Sequence, residues 1–132
     1  MAVDAVGVGA HGQLAVPDDV NRAGWWRGSS RLGESFGSMV VAAHVDSFSQ
    51  GRGPVAELLS AARGDGLRVS GGGLNQSFTV DSVVFIPRAD LGKQSRLFSV
   101  RGPLRLVVVT CGGPYDPQHG YRDNVVVTAS AR

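Results

Sequence analysis

The stretch "PLRLVVVTCGGPYDPQHGYRDNVVVTASA", residues 103–131, decides the fold. It holds two valine-rich runs, one ending at Thr110–Cys111 and one beginning at Asn124. Branching at Cβ stiffens valine and suits it to a pleated strand. Between the runs lie Gly112, Gly113, Pro114, Asp116, Pro117 and Gly120, which are turn-forming residues. Two strands joined by a loop are therefore expected. Neither run alternates apolar with polar residues, so both are expected to be central strands covered on both faces. Cys111 is the only cysteine in the chain. It closes the first strand and is followed at once by two glycines, a setting that a purely packing thiol does not need.

Outward from this pair, "LRVSGGGLNQSFTVDSVVFIP" (67–87) predicts two more strands around a turn at Gly71–Gly73. "GSMVVAAHVDS" (37–47) predicts a buried strand ending at His44. "AVGVGAHGQLAVP" (5–17) predicts a hairpin with its turn at 10–12, and residues 18–30, with Trp25 and Trp26, predict a loop. The tryptophans suit the core better than a pocket. "GPVAELLSAARGDG" (53–66) carries the one helix pattern. Pro54 suits the first helical position, Val55, Leu58 and Leu59 share a face, and Gly64 can take a left-handed cap. The sum is a mostly β chain. Strands separated by turns predict an antiparallel or mixed β-barrel, closed or nearly closed, with one short helix.

The 132 residues fit a single domain, 1–132. A hydrophobic fraction of 42% can build a core, and 18% charged residues are too few for a disordered chain. Thirteen basic and eleven acidic side chains give a net charge of +2, which is no footprint for nucleic acid. No apolar run approaches the roughly 18 residues that span a bilayer, and no charged-then-apolar signal peptide opens the chain.

A single cysteine cannot form an internal disulfide. It is packing, a metal ligand or a reactive thiol. A zinc site lacks a second cysteine and a close histidine pair, so no metal and no cofactor is expected. A nucleophilic thiol needs a partner that favours thiolate, usually histidine. The chain has three. His11 falls in a glycine-flanked turn and His119 in the loop "PYDPQHGY", whereas His44 ends a strand as Cys111 does. Residues at the ends of two buried strands can be held side by side while the following loops form a cleft. Composition and spacing alone leave a small β domain with a notable thiol.

Four ordered blocks add to this. "VVAAHVDS", "GPVAELL", "VVVTCGGPYD" and "GYRDNVVVTA" together resemble the sortases, the cysteine transpeptidases of Gram-positive cell surfaces. The likeness is greatest to the class F group of actinobacteria, and "VPDD…AGWWRG" resembles that group's N-terminal region. Sortases carry a histidine after a hydrophobic strand, a Thr-Cys at the end of a later one, and an arginine near the start of the next. His44, Thr110–Cys111 and Arg122 stand in that order. There are three departures. Ala43 stands where the family usually has glycine, Val107 and Val108 depart from the Thr-Leu-x-Thr-Cys pattern, and the opening "MAVDAVGVG" resembles the second part of the family's first hairpin, so that its first short strand is expected to be missing here. A missing first strand would leave an exposed edge or groove.

The resemblance implies cleavage of a Leu-Pro-x-Thr-Gly-like sorting signal between threonine and glycine, and transfer of the acyl group to a cell-surface amine. Cys111 would be the nucleophile, His44 the general acid and base, and Arg122 the oxyanion donor. Asn124 and the backbone at Thr110 and Cys111 are alternative donors. Val83, Phe85 and Ile86 are candidates for the apolar end of the signal, leading into the loop-like segment 87–98. Asp46 is either an orienting partner of His44 or a solvated loop carboxylate, the latter preferred. The implied partners are the sorting-signal peptide of a surface protein and an amine on the cell wall or a pilin. The implied location is the extracytoplasmic face of the membrane. A non-catalytic binding barrel, a cysteine hydrolase and a degenerate homologue with an inert cysteine are the rival readings.

Overall fold

The computed structural model describes residues 1–8 and 15–132. His11 and the turn expected at 10–12 lie outside the described residues. The described residues form nine strands: β1 (Ala2–Val6), β2 (Arg22–Trp26), β3 (Ser38–Ala42), β4 (Asp46–Ser47), β5 (Gly51–Arg52), β6 (Gly66–Gly71), β7 (Leu74–Pro87), β8 (Arg105–Asp116) and β9 (Gly120–Ala131). Seven form one sheet in the order β1-β2-β3-β8-β9-β7-β6, and β4 pairs with β5 separately. The sheet is mixed, because β1 runs parallel to β2 and β3 parallel to β8. It curls into a half-barrel, and its edge strands β1 and β6 are not paired with each other. An apolar cleft of about 370 Å³, lined by Val3, Val41, Leu67, Val69 and Leu106 among others, lies between those edges.

The two valine runs form β8 and β9 and occupy the middle of the sheet, as expected. Their lack of alternation has a direct cause, since each face has its own cover. Met39, Val41, Phe78, Val80, Leu106, Val108 and Val127 form one cluster, with Val55 and Leu58 packed in from residues 54–60. Val40, Ile86, Val107 and Val126 form the other, beneath Leu91, Leu97 and Phe98. Side chains such as Phe78, Val107 and Val125 lose all contact with water. Each contributes about 1.5–3 kcal/mol relative to exposure.

Three expectations are corrected. Cys111 does not close its strand, because β8 runs on to Asp116 past a register shift between Gly112 and Tyr115. Residues 18–30 are not all loop, because Arg22–Trp26 forms β2, pairing Trp25 with Val41. Trp25 then packs on the first cluster and Trp26 on the second. The expected helix over 53–66 is a 3₁₀ helix, Pro54–Ser60, with Pro54 in its first turn. The sheet takes the residues beyond it. The Gly64 amide donates to the Val80 carbonyl and the Val80 amide to the Asp65 carbonyl, both at 2.8 Å. Gly64 does adopt a left-handed φ of 97°, as its position suggested. The segment after β7 folds as two further 3₁₀ helices, Arg88–Lys93 and Ser95–Phe98.

Candidate active site

β3 and β8 lie side by side in parallel, with Ser38 opposite Arg105 and Ala42 opposite Val109. The Ala43 amide donates to the Val109 carbonyl at 3.1 Å, so the pairing continues past the end of β3. Carried forward two residues, this register would bring His44 level with Cys111. Thr110 fixes the junction. Its hydroxyl donates to the Ala43 carbonyl at 2.7 Å, and the residue is 3% exposed. A bond of this kind contributes about 1 kcal/mol, and stranding its buried acceptor costs about 1–3 kcal/mol. The residue just before the cysteine thus holds the residue just before the histidine.

Across the sheet, Cys111 faces Asn124 and Asn124 faces Ile86. Directly opposed residues point to the same side, and successive residues alternate. The fold therefore brings Cys111, Asn124 and Ile86 onto one face and puts Val83 and Phe85 on the other. A Cβ on Gly112, which neighbours Cys111 on that other face, would meet Phe85 at 3.3 Å and Leu59 at 3.4 Å. Asn124 also donates from its side-chain amide to the Thr110 carbonyl at 3.3 Å. Ile86 belongs to the cluster covered by Leu91, Leu97 and Phe98, so the segment after β7 walls the face that carries the thiol.

The charged residues divide differently from the sequence expectation. The Arg122 guanidinium donates through Nε and one terminal nitrogen to both oxygens of Asp123, each at 3.0 Å. Asp123 is buried, whereas the Arg122 side chain is 66% exposed. Among the described residues no hydrogen bond joins Arg122 to Cys111. The cation that acts on the thiol is Arg88, directly after β7. Burial pushes the Cys111 thiol above its ordinary range, the Arg88 charge opposes that shift, and the Asp46 carboxylate adds to it. His119 sits in the turn between β8 and β9, with Nδ1 2.8 Å from Asp116 Oδ2.

Asp46 is not a free loop carboxylate. Its Oδ2 accepts the Tyr121 hydroxyl at 2.5 Å across 75 positions of sequence. That hydrogen bond, with some burial, pushes the Tyr121 phenol up to about 12. Tyr121 meets Tyr115 edge to face, with centroids 5.0 Å apart. The ring pair separates two cavities. One, of about 530 Å³, is lined by Asp46, Ser47, Phe48, Tyr115 and Tyr121. The other, of about 570 Å³, includes Arg88, Asp116, His119 and Arg122. Arg88 and Tyr121 went unnoticed in the sequence. The signal for Arg88 was its position at the end of a strand that also holds Ile86; for Tyr121 there was none, because its partner is remote. Among the described residues no group of three or more His, Cys, Asp or Glu side chains is placed to hold a metal ion.

A curled mixed sheet with β3 parallel to β8 at its centre matches known structures. Sortase C-1 from Actinomyces oris superimposes with a TM-score of 0.66 over 83% of this chain and 58% of its own, at 20% identity. The fold is that of the sortases. The SrtA sortase from Actinomyces oris aligns over 98% of this chain and 69% of its own, with a TM-score of 0.69 and 20% identity. Sortase A from Corynebacterium diphtheriae aligns over 96% of this chain and 59% of its own, with a TM-score of 0.68 and 13% identity. This chain spans 50–58% of the length of the two sortase C1 structures, from Actinomyces oris and from the GBS pilus island 1. No family model and no curated protein matches the sequence. Identities this low carry the sortase fold and not the chemistry. No helix among the described residues is long and apolar enough to cross a membrane.

Proposed function

We propose that this chain is a sortase-type cysteine transpeptidase of the class F kind. The observation that supports this best is the β3–β8 register on a sortase fold, held by the Thr110 bond to Ala43 just ahead of Cys111 and His44. The substrate is a Leu-Pro-x-Thr-Gly-like sorting signal of a surface protein. The Cys111 sulfur attacks the threonine carbonyl carbon, the C–N bond to glycine breaks, and His44 protonates the departing amine. The thioester is then resolved by an amine on the cell wall or a pilin, which loses its proton to His44. Arg122, with Asn124 and the Cys111 backbone beside it, stabilises the oxyanion. Arg122 must leave Asp123 to do so, or share the role with Arg88. The work takes place at the extracytoplasmic face of the membrane.

Burial of the thiol favours its neutral form, so thiolate is the minor species at neutral pH and His44 draws on that fraction. Incubation with a fluorogenic Leu-Pro-x-Thr-Gly peptide, with and without an amine, checks the reaction by product mass. Cleavage at Thr–Gly, a thioester adduct on Cys111 and an amine-dependent ligation product are expected. Intact peptide together with an unmodified Cys111 would overturn the enzymatic reading and favour the binding-barrel or degenerate one.

A further inference from the structure

The proposed reaction needs a second substrate, and the cavity beside Asp46 has the chemistry for it. Asp46 follows His44 by two residues, and its carboxylate is held by one hydrogen bond, through Oδ2. Among the described residues Oδ1 has no hydrogen-bond partner. Arg52 stands opposite in the β4–β5 pairing but forms no ion pair with Asp46. Around the carboxylate stand the rings of Tyr115, Tyr121 and the fully exposed Phe48. A carboxylate within an aromatic wall suits a primary ammonium, which gains a charge-assisted hydrogen bond and cation–π contact. The cavity across the tyrosine pair carries Arg88 and Arg122, and its one carboxylate, Asp116, is already bonded to His119. Asp46 is also near enough for its charge to act on the Cys111 thiol.

We propose that the cavity of Asp46, Phe48, Tyr115 and Tyr121 is the entry site for the acceptor amine. This rests on the transpeptidase reading above. The amine binds as an ammonium and gives one proton to solvent. The free amine then attacks the thioester carbonyl carbon. The N–C bond forms, the C–S bond breaks with its electron pair left on sulfur, and the second proton goes to His44. Cys111 is regenerated as thiolate beside a protonated His44, the pair that begins the next cycle.

Two measurements test this. Triglycine amide, a primary amine, and its N-acetyl form are titrated into the Cys111→Ala chain and followed by NMR. The free amine is expected to shift resonances of Asp46, Tyr115 and Tyr121, and the acetylated form is not. Asp46→Asn is expected to weaken that binding roughly tenfold, as for one lost charge-assisted bond. Equal shifts with both probes, or shifts confined elsewhere, overturn the site. In the chain with Cys111 intact, Asp46→Asn should raise the amine concentration for half-maximal transfer by about the same factor. Glycine release without amine is measured in the same variant as the reference for that change. A merely structural Asp46 would instead slow glycine release and leave the amine dependence alone, which also overturns the proposal. If amine binds at Asp46 but no thioester ever forms, the transpeptidase reading fails and with it the acceptor role.

Discussion

At the scale of single residues, the proposed site rests on Cys111, His44 and the arginines. Cys111→Ala is expected to abolish peptide cleavage with the melting temperature little changed, and His44→Ala to be nearly as damaging. His119→Ala should be mild, because its ring is paired with Asp116 in an exposed turn. Turnover close to wild type in Cys111→Ala would remove the enzymatic reading. For the oxyanion donor, loss of one such group costs about 10²–10³ in kcat. Arg122→Ala and Arg88→Ala, measured side by side with lysine replacements, separate the two guanidinium groups. A planar fork is not replaced by an ammonium, so lysine should fail to rescue the donor. The thiol also has a pH signature. Its folded value is raised, so the thiol form is favoured and thiolate is delayed to higher pH. The same shift stabilises the fold below the ordinary thiol value of about 8.5 and is lost as pH rises through the folded one. Iodoacetamide labelling should therefore rise with pH at a higher midpoint than in the urea-unfolded chain. A lower native midpoint would contradict burial as the dominant influence.

At the scale of elements, the pairing of β3 with β8 and the bulge in the β8–β9 hairpin shape the site. Thr110→Val keeps the shape but strands the Ala43 carbonyl. A loss of about 1–3 kcal/mol in denaturant unfolding is expected, together with a larger drop in kcat than in peptide binding, because His44 loses its fixed neighbour. An unaltered kcat with only the stability loss would limit Thr110 to holding the strand. Gly113 sits in the bulge at φ 77°, and a Cβ there would come 2.5 Å from Asp123 Oδ2. Gly113→Ala therefore meets both a left-handed backbone and the carboxylate that holds Arg122. A destabilisation of about 1–3 kcal/mol is expected from the backbone alone, read as a lowered urea midpoint. A midpoint equal to wild type would mean the hairpin relaxes without cost.

At the scale of the whole molecule, stability depends on two clusters separated by one sheet. Phe78 is 0% exposed and lies in the cluster on the side of the Pro54–Ser60 helix. Phe78→Ala should cost about 3–5 kcal/mol, a large part of the margin of a chain this size. Chemical unfolding followed by tryptophan fluorescence would show it, since Trp25 packs on that same cluster. A loss below about 1 kcal/mol would mean that the open side of the half-barrel closes over the void.

The sequence by itself determined the strands and their chemistry. Unbroken valine around Val107 and Val126 required burial on both faces, glycines at 72 and 73 required a turn, and two glycines after the lone thiol marked where the β8–β9 register breaks, though the strand itself runs on to Asp116. These are local properties, carried by Cβ branching, backbone freedom and residue type. It also ordered His44, Cys111 and Arg122 along the chain. Tertiary structure decided what depended on distant partners. The helix expected at 53–66 stopped at a 3₁₀ helix, Pro54–Ser60, because Val80 took the Gly64 and Asp65 backbone. Phe85 left the thiol's face because strand register, invisible in one segment, set the alternation. Arg122 turned to Asp123, Arg88 came under the thiol's influence, and Asp46 met Tyr121, since which charge finds which is fixed only once the sheet is assembled.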